Sequence, residues 1–302
     1  MSVVSIEKAR PEAATPVMQP VAPQHPGREA LAMFLRNGPA SVGLGLLSIM
    51  VLGTLIGPSL YGVDPYAIVN MPFMPPGTPG ALLGTDYLGR DMLAGILSGG
   101  RPTLLVGGVS AAMTISIGIL IGALAGYFGG MTDRALMKFT EFFQVLPALL
   151  LAMVLVTIFS PSLPTIIIAI GIVGWPQVAR LTRAEFLRIR ELEYVRAART
   201  AGARDLYLMF NTILPGAMPP VIVAAALVTG GSILFEAGLS FLGLGDPNLM
   251  SWGVMIGQNR NYMLNAWWTV TIPGIAIFLT VLAISLIGDG INDALNPRMR
   301  KR

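Results

Sequence analysis

YVRAARTAGARDLYLMFNTILP, residues Tyr194 to Pro215, is a polar and basic interlude between long apolar runs, and its residues describe a helix, a turn and a second helix. Ala197 and Ala198 favour a short helix, and Gly202 supplies the backbone freedom for a left-handed cap and a sharp change of direction. Asp205 is placed to cap a restart in which Leu206, Met209, Phe210 and Ile213 fall at i, i+3, i+4 and i+7 on one face, until Pro215 closes it. Glu185 with Arg188 and Glu193 with Arg196, each pair three apart, support the approach to the turn by roughly a few tenths of a kcal/mol each. So polar a segment lies outside hydrocarbon and divides the apolar runs before it from those after it.

Those runs set the class. The chain is 54% hydrophobic and 12% charged over 302 residues, against roughly 25% charged in soluble proteins, and its mean hydropathy is +0.69. This is the composition of a membrane protein. With no Cys, and with His25 alone in a terminal segment, neither a thiolate metal site nor Cys or His catalysis can be built. Lys8, Lys138 and Lys301 follow Glu7, Met137 and Arg300, never a Gly, so there is no Walker A motif and any ATP is hydrolysed by another chain. The basic residues lie between apolar spans, not on a face interleaved with aromatics, which points to the lipid bilayer and away from nucleic acid.

In order, residues 1–37 are rich in Pro, Ala and Gln and lack the apolar core of a signal peptide, so they read as a mobile cytoplasmic tail. Residues 38–290 form the membrane domain, with spans at about 40–60, 103–128, 142–159, 163–180, 218–236 and 267–288, and residues 291–302 form a second cytoplasmic tail. The polar segment 181–216 sits between the fourth and fifth spans, and SPSLP at 160–164 divides the third from the fourth. The region 64–100 is a sizeable loop in which Leu88, Met92, Leu93 and Ile96 share one side of a short interfacial helix, with Asp86 and Arg90 as i, i+4 partners. Six spans put both termini on one side. Most basic residues, including Arg134, Lys138, Arg180, Arg183, Arg196, Arg199 and Arg204, share that side, while Arg90, Arg101 and Arg260 lie opposite, so the termini are expected in the cytoplasm. Trp252, Trp267 and Trp268 gather at the outer ends and Trp175 near an inner end, as interfacial rings do.

The central stretch resembles the Glu-Ala-Ala loop of the membrane subunits of ATP-binding-cassette importers, with Ala197-Ala198, Gly202 and Leu214-Pro215 in register, Arg196 at the Glu position and Thr212 at an Ile position. LGTDYLGRDML at 83–93, EAGLSFLGLG at 236–245 and SWGVMI after it are similar to the second permease subunit of the dipeptide, oligopeptide and nickel importers. That resemblance covers nearly everything from Ala40 to Pro297. It implies an all-α integral membrane protein with the type I importer permease fold, paired with a second permease, two ATP-binding subunits and a solute-binding protein in the bacterial cytoplasmic membrane. ATP and Mg belong to the ATPase subunits, and this chain carries no cofactor, metal or catalytic group of its own. The loop residues expected to couple to the ATPase are Arg196, Ala197, Ala198, Arg199, Gly202, Ala203, Asp205, Leu214 and Pro215. Asp86, Arg90, Asp91, Asp246 and Trp252 are the candidates for docking the solute-binding protein, which delivers peptides or similar small solutes. No substrate-binding residue follows from the resemblance.

Two other classes fit less well. A self-contained secondary transporter or channel calls for inverted repeats or paired intramembrane charges, and neither is visible. An intramembrane enzyme lacks a nucleophile and base pair. Glu141 and Glu236 lie at span edges, where structural roles outweigh gating.

Overall fold

The computed structural model describes residues 33–295, and its only β pairing among them is a few isolated bridges in the loop before Met92. The expected tails fall largely on residues 1–32 and 296–302, outside the described residues, while 33–36 are helical and lead into the first span. The elements are α1 (Gly38–Tyr61), α2 (Met92–Phe128), α3 (Gly130–Val145), α4 (Ala148–Ile158), α5 (Leu163–Ile189), α6 (Glu193–Thr200), α7 (Leu214–Phe241), α8 (Trp252–Asn259) and α9 (Trp268–Leu295). Five helical stretches are long and apolar enough to cross a membrane, and the α3–α4 pair, bent by 83°, brings the number to six if it is counted as one broken span.

Three of the long helices begin where a polar side chain satisfies free N–H groups. Asn37 accepts from Ala40 N at the start of α1, Asp91 from Leu93 N and Ala94 N at α2, and Ser162 from Thr165 N at α5. The helix that holds the expected second span starts at Met92, eleven residues before 103, and has Arg101 within it. Pro58 has no N–H to give Thr54 O in α1, and Arg101 Nε donates to that carbonyl at 2.9 Å while Nη2 reaches Leu55 O at 2.6 Å. A charge that looked like the edge of a span instead repairs a neighbouring helix.

The expected third span, 142–159, is two helices broken at Leu146-Pro147, where Pro147 precedes the first turn of α4. The fifth begins well before 218, because Pro215 falls in the first turn of α7, where its missing N–H is tolerated. The last helix runs through to Leu295, past the expected end at 288.

The tightest seam joins α2 to α5. Gly118, Gly122 and Gly126 recur every fourth residue, and a Cβ at Gly122 would sit 2.4 Å from Ala179 O, one at Gly118 2.5 Å from Val178 Cβ, and one at Gly126 2.6 Å from Phe186 Cβ. Backbone contact through small residues substitutes for the hydrophobic driving force that lipid does not supply.

One end of the bundle is closed by the segments 62–91 and 242–267, folded on each other; we call it the cap end. Tyr66 receives Met250 N and donates to Asn248 O, Asn259 Oδ1 accepts from Tyr87 N, and Tyr262 packs on Phe73 and Tyr87. The interfacial helix expected around Leu88 is absent. Residues 83–90 form turns, Asp86 accepts from the backbone N–H groups of Leu88 and Arg90, and the Arg90 side chain lies over Tyr66 instead of pairing with Asp86. Gly89 stands at φ 83° with Asn70 O only 2.1 Å from where a Cβ would be, so no side chain fits. Trp252, Trp268 and Trp175 are buried in the bundle, leaving Trp267, 57% exposed, as the ring in the interfacial role expected of them all.

Candidate functional site

At the opposite end, the turn end, Tyr194–Pro215 is folded as a compact bracket. α6 ends in a left-handed turn: Gly202 has φ 85°, its N–H donates to Arg199 O at 3.0 Å, and Ala203 N donates to Ala198 O at 3.1 Å. This pair of bonds is the Schellman arrangement, which satisfies the last carbonyls of a helix and reverses the chain. A Cβ at Gly202 would meet nothing within 4 Å, so the demand for glycine there is conformational, not steric.

Beneath the bracket lies a buried platform of Ala123 and Tyr127 from α2, Phe186 and Ile189 from α5, Val195, Leu208, Met209, Ile213 and Ala217. Leu208–Ile213 is π-helical, and Leu214 N closes its ring on Met209 O. This corrects the expected face. In a π turn residues five apart align, so Leu208 and Ile213 are both fully buried with Met209, whereas Leu206, Tyr207 and Phe210 are exposed at 69%, 57% and 47%. Asp205 does not cap the restart with its side chain; Arg204 holds the cap position, and the Asp205 carboxylate accepts the Tyr127 hydroxyl at 2.5 Å.

Charge fixes the rest. Arg199 lies 5.6 Å over the Tyr127 ring. Arg190 donates through Nη1 to Gly126 O and Tyr127 O, a cation on the C-terminus of α2. Arg183 grips Asp133 with two bonds of 2.5 and 2.6 Å, joining α5 to the start of α3. The expected Glu185–Arg188 pair forms at 2.7 Å, but Arg196 turns from Glu193 to Glu191, also at 2.7 Å. The Arg196 and Arg190 guanidiniums hold the exposed Glu191 carboxyl below the usual carboxylate range.

The bracket thus brings together every coupling residue expected from sequence. Arg196, Ala197, Arg199, Gly202, Asp205 and Pro215 are exposed, and Ala198, Ala203 and Leu214 are half-buried against the platform. Sequence reasoning missed Leu206 and Phe210 as surface groups, because a 3.6-residue period puts them on one face with Met209 and Ile213, and it assigned no place to Tyr207. It also missed Tyr127, which ends a span next to Phe128 and carries no signal of a partner 78 residues away.

The cap end treats its candidates differently. Asp86, Asp91 and Trp252 are buried, so they build the cap and cannot present themselves to another protein. Asp91 accepts the Tyr61 hydroxyl, and Trp252 donates through Nε1 to Ile96 O. Asp246 accepts from Leu163 N, and Arg90 is half-buried. Glu236, expected to escape to an interface, is buried instead between Ser240 and Ser251, whose hydroxyls both donate to its Oε1.

A membrane bundle with a rigid helix-turn bracket at one end and a folded cap at the other is the form of a transport permease. The chain belongs to the family of binding-protein-dependent transport system inner membrane components, whose model matches residues 118–301, and residues 25–76 match the N-terminal membrane domain of oligopeptide transport permease C. It is 40% identical over 91% of its length to the di/tripeptide transport system permease protein DppC of Pseudomonas aeruginosa, covering 93% of that protein. It is 37% identical over 89% of its length to the probable D,D-dipeptide transport system permease protein DdpC of Escherichia coli, covering 91% of it. Among solved structures, the inward-facing MetNI methionine ABC transporter contains a chain of the same fold, with TM-score 0.58, 20% identity, and coverage of 68% of this chain and 98% of that one.

Proposed function

We propose that this chain is one of two permease subunits of an ATP-driven peptide importer in a bacterial cytoplasmic membrane, with both termini and the bracket in the cytoplasm. Its domains are the terminal tails, 1–37 and 291–302, and the membrane body between them. The observation that carries the reading is the Gly202 bracket: a short helix of fixed direction, backed by a buried platform and showing basic and apolar groups outward, suits a surface that a soluble motor pushes. Two ATPase subunits bind ATP and Mg and draw together. The bracket passes that movement to α2, α5 and α7, to which it is bonded, and the path between the two permeases opens to receive solute. The chain itself catalyses nothing. A solute-binding protein delivers the peptide at the cap end, where Leu264, 94% exposed, with Met263 and Trp267, offers the contact that the buried Asp86, Asp91 and Trp252 do not. The names of the DppC and DdpC relatives support peptides as the solute class.

Reconstitution tests this. Vesicles holding both permeases and both ATPases, supplied with the binding protein, should accumulate labelled Ala-Ala only with ATP inside, and omitting any subunit should abolish uptake. Uptake by this chain alone, driven by an ion gradient, would replace the reading with that of a secondary transporter. Because the chain has no Cys, a thiol at Asn261 should react with an impermeant reagent in intact cells and one at Thr200 only after lysis. The reverse result would invert the orientation.

A further inference from the structure

At the bend between α3 and α4 the bundle opens into a cavity of about 710 Å³, bounded by α2, α5 and α7, with Gln144, Gln177 and Arg180 as the long polar groups in a wall otherwise mostly apolar. Its volume falls within the roughly 300–1,000 Å³ of small-molecule sites. Arg180 is the one charged residue in that lining, and it has no carboxylate within ion-pair distance among the described residues, unlike Arg183, Arg188, Arg190 and Arg196. Its Nη1 donates only to Gln144 Oε1, at 3.0 Å.

Arg180 lies on α5 at the turn-end edge of the expected fourth span, is exposed, and lines the cavity. An ionised group on such a helix is tolerated where it faces a cavity or a counter-charge, not lipid. The guanidinium fork matches the two oxygens of a carboxylate, and the Gln144 and Gln177 amides add N–H donors at the same wall. To this charge the beginning of α4 adds a little, since Ala148 lines the cavity and no side chain caps that helix. The groups present therefore ask for an anion with an apolar body, small enough for the space.

We propose that the cavity receives the free α-carboxylate of the peptide in transit, with Arg180 as its counter-ion and Gln144 and Gln177 as hydrogen-bond donors. This rests on the peptide-importer reading and names the group within the chain that meets the solute. A peptide in transit loses the water around its terminal charge, and a fixed guanidinium replaces part of that hydration without binding the apolar side chains that differ from one peptide to the next.

The test uses the assembled transporter in phosphatidylcholine vesicles and a reporter thiol at Gly231, which lines the cavity and has nothing within 4 Å of its would-be Cβ. If Arg180 makes the cavity electropositive, Gly231→Cys should react with an anionic methanethiosulfonate on the order of tenfold faster than with a cationic one. Adding Arg180→Gln should erase that preference, Arg180→Lys should retain it, and Ala-Ala-Ala delivered by the binding protein should slow the anionic reagent. In uptake, Arg180→Gln should lower Ala-Ala-Ala transport about tenfold. A preference that survives Arg180→Gln, or normal uptake by that variant, overturns the proposal. Slowing by added anionic lipid with none by peptide also overturns it, assigning the charge to a headgroup. If the wild-type complex moves no peptide at all yet the thiol preference depends on Arg180, the importer reading is what fails, and the anion site would belong to another solute.

Discussion

The Tyr127 hydroxyl donates to Asp205 Oδ1 at 2.5 Å, so the last turn of α2 and the start of the bracket's second arm are held by one bond between residues 78 apart in sequence. Tyr127→Phe keeps the ring beneath Arg199 and removes only that bond. A hydrogen bond to an exposed carboxylate is worth about 1 kcal/mol, so opening of the bracket, read by amide hydrogen exchange over 200–208, should rise roughly fivefold with little change in the melting temperature of the whole chain. ATP consumed per peptide moved should increase. Unchanged exchange in that segment would mean that the platform alone fixes the arm.

Gly202→Val forces a β-branched residue into φ 85°, a conformation that costs roughly 1–2 kcal/mol for an L residue. The open space around the position means that strain redirects the chain without a clash. Membrane abundance and pairing with the second permease should be normal, while pull-down of the ATPase subunits and uptake should both fall. Gly202→Asn, which tolerates the left-handed region, should retain most of both.

Gly122→Val tests the α2–α5 seam and should behave oppositely. Its Cβ alone would stand 2.4 Å from Ala179 O, backbone that cannot step aside, so the two helices must separate. Loss is expected at the level of folding: low membrane abundance, a melting temperature lowered by several degrees or more, and no assembly to assay. Overpacking of this kind costs on the order of 1–3 kcal/mol or more.

At the cap end, Trp252→Ala and Leu264→Glu should divide folding from docking. Trp252 is 1% exposed and its indole N–H donates to Ile96 O, so truncating it should destabilise by about 3–5 kcal/mol. Leu264→Glu should leave the melting curve in place and weaken the solute-binding protein's affinity, measured by titrating ATPase stimulation, by about tenfold, the size of a modest interface hot spot. If Leu264→Glu leaves that titration unchanged, docking lies elsewhere on the cap.

The residues legible in sequence were those whose meaning is local. Charge-free runs marked the helices of the bundle, and Gly202 announced its turn because few other residues accept that backbone. The misreadings came where a distant partner or an altered helical pitch decided the outcome. Arg101 is accommodated inside a long apolar helix because Pro58, on another helix, leaves a carbonyl free for it. Asp86 and Arg90 keep the spacing of a helical ion pair on a backbone that is not helical, so the carboxylate serves main-chain N–H groups instead. Glu236 stays buried because Ser251 arrives from the N-cap of α8, fifteen residues further along the chain.

The π-helical segment Leu208–Ile213 has a consequence for how the bracket is aimed. From Asp205 to Phe241 the chain is one continuous helical rod, and the π segment acts in it as one extra residue threaded into an otherwise regular screw. Removing Asn211, an exposed residue of that segment, would let the rod return to ordinary pitch, and each residue of an α-helix turns the axis by about 100°. The Gly202 turn would then arrive over a different quadrant of the bundle, with Leu206, Tyr207 and Phe210 rotated away from their present bearing. The bearing of the Gly202 turn relative to the long helix that follows it is thus set by a single residue, and a one-residue deletion re-aims the whole bracket while leaving the sequence of the spans intact.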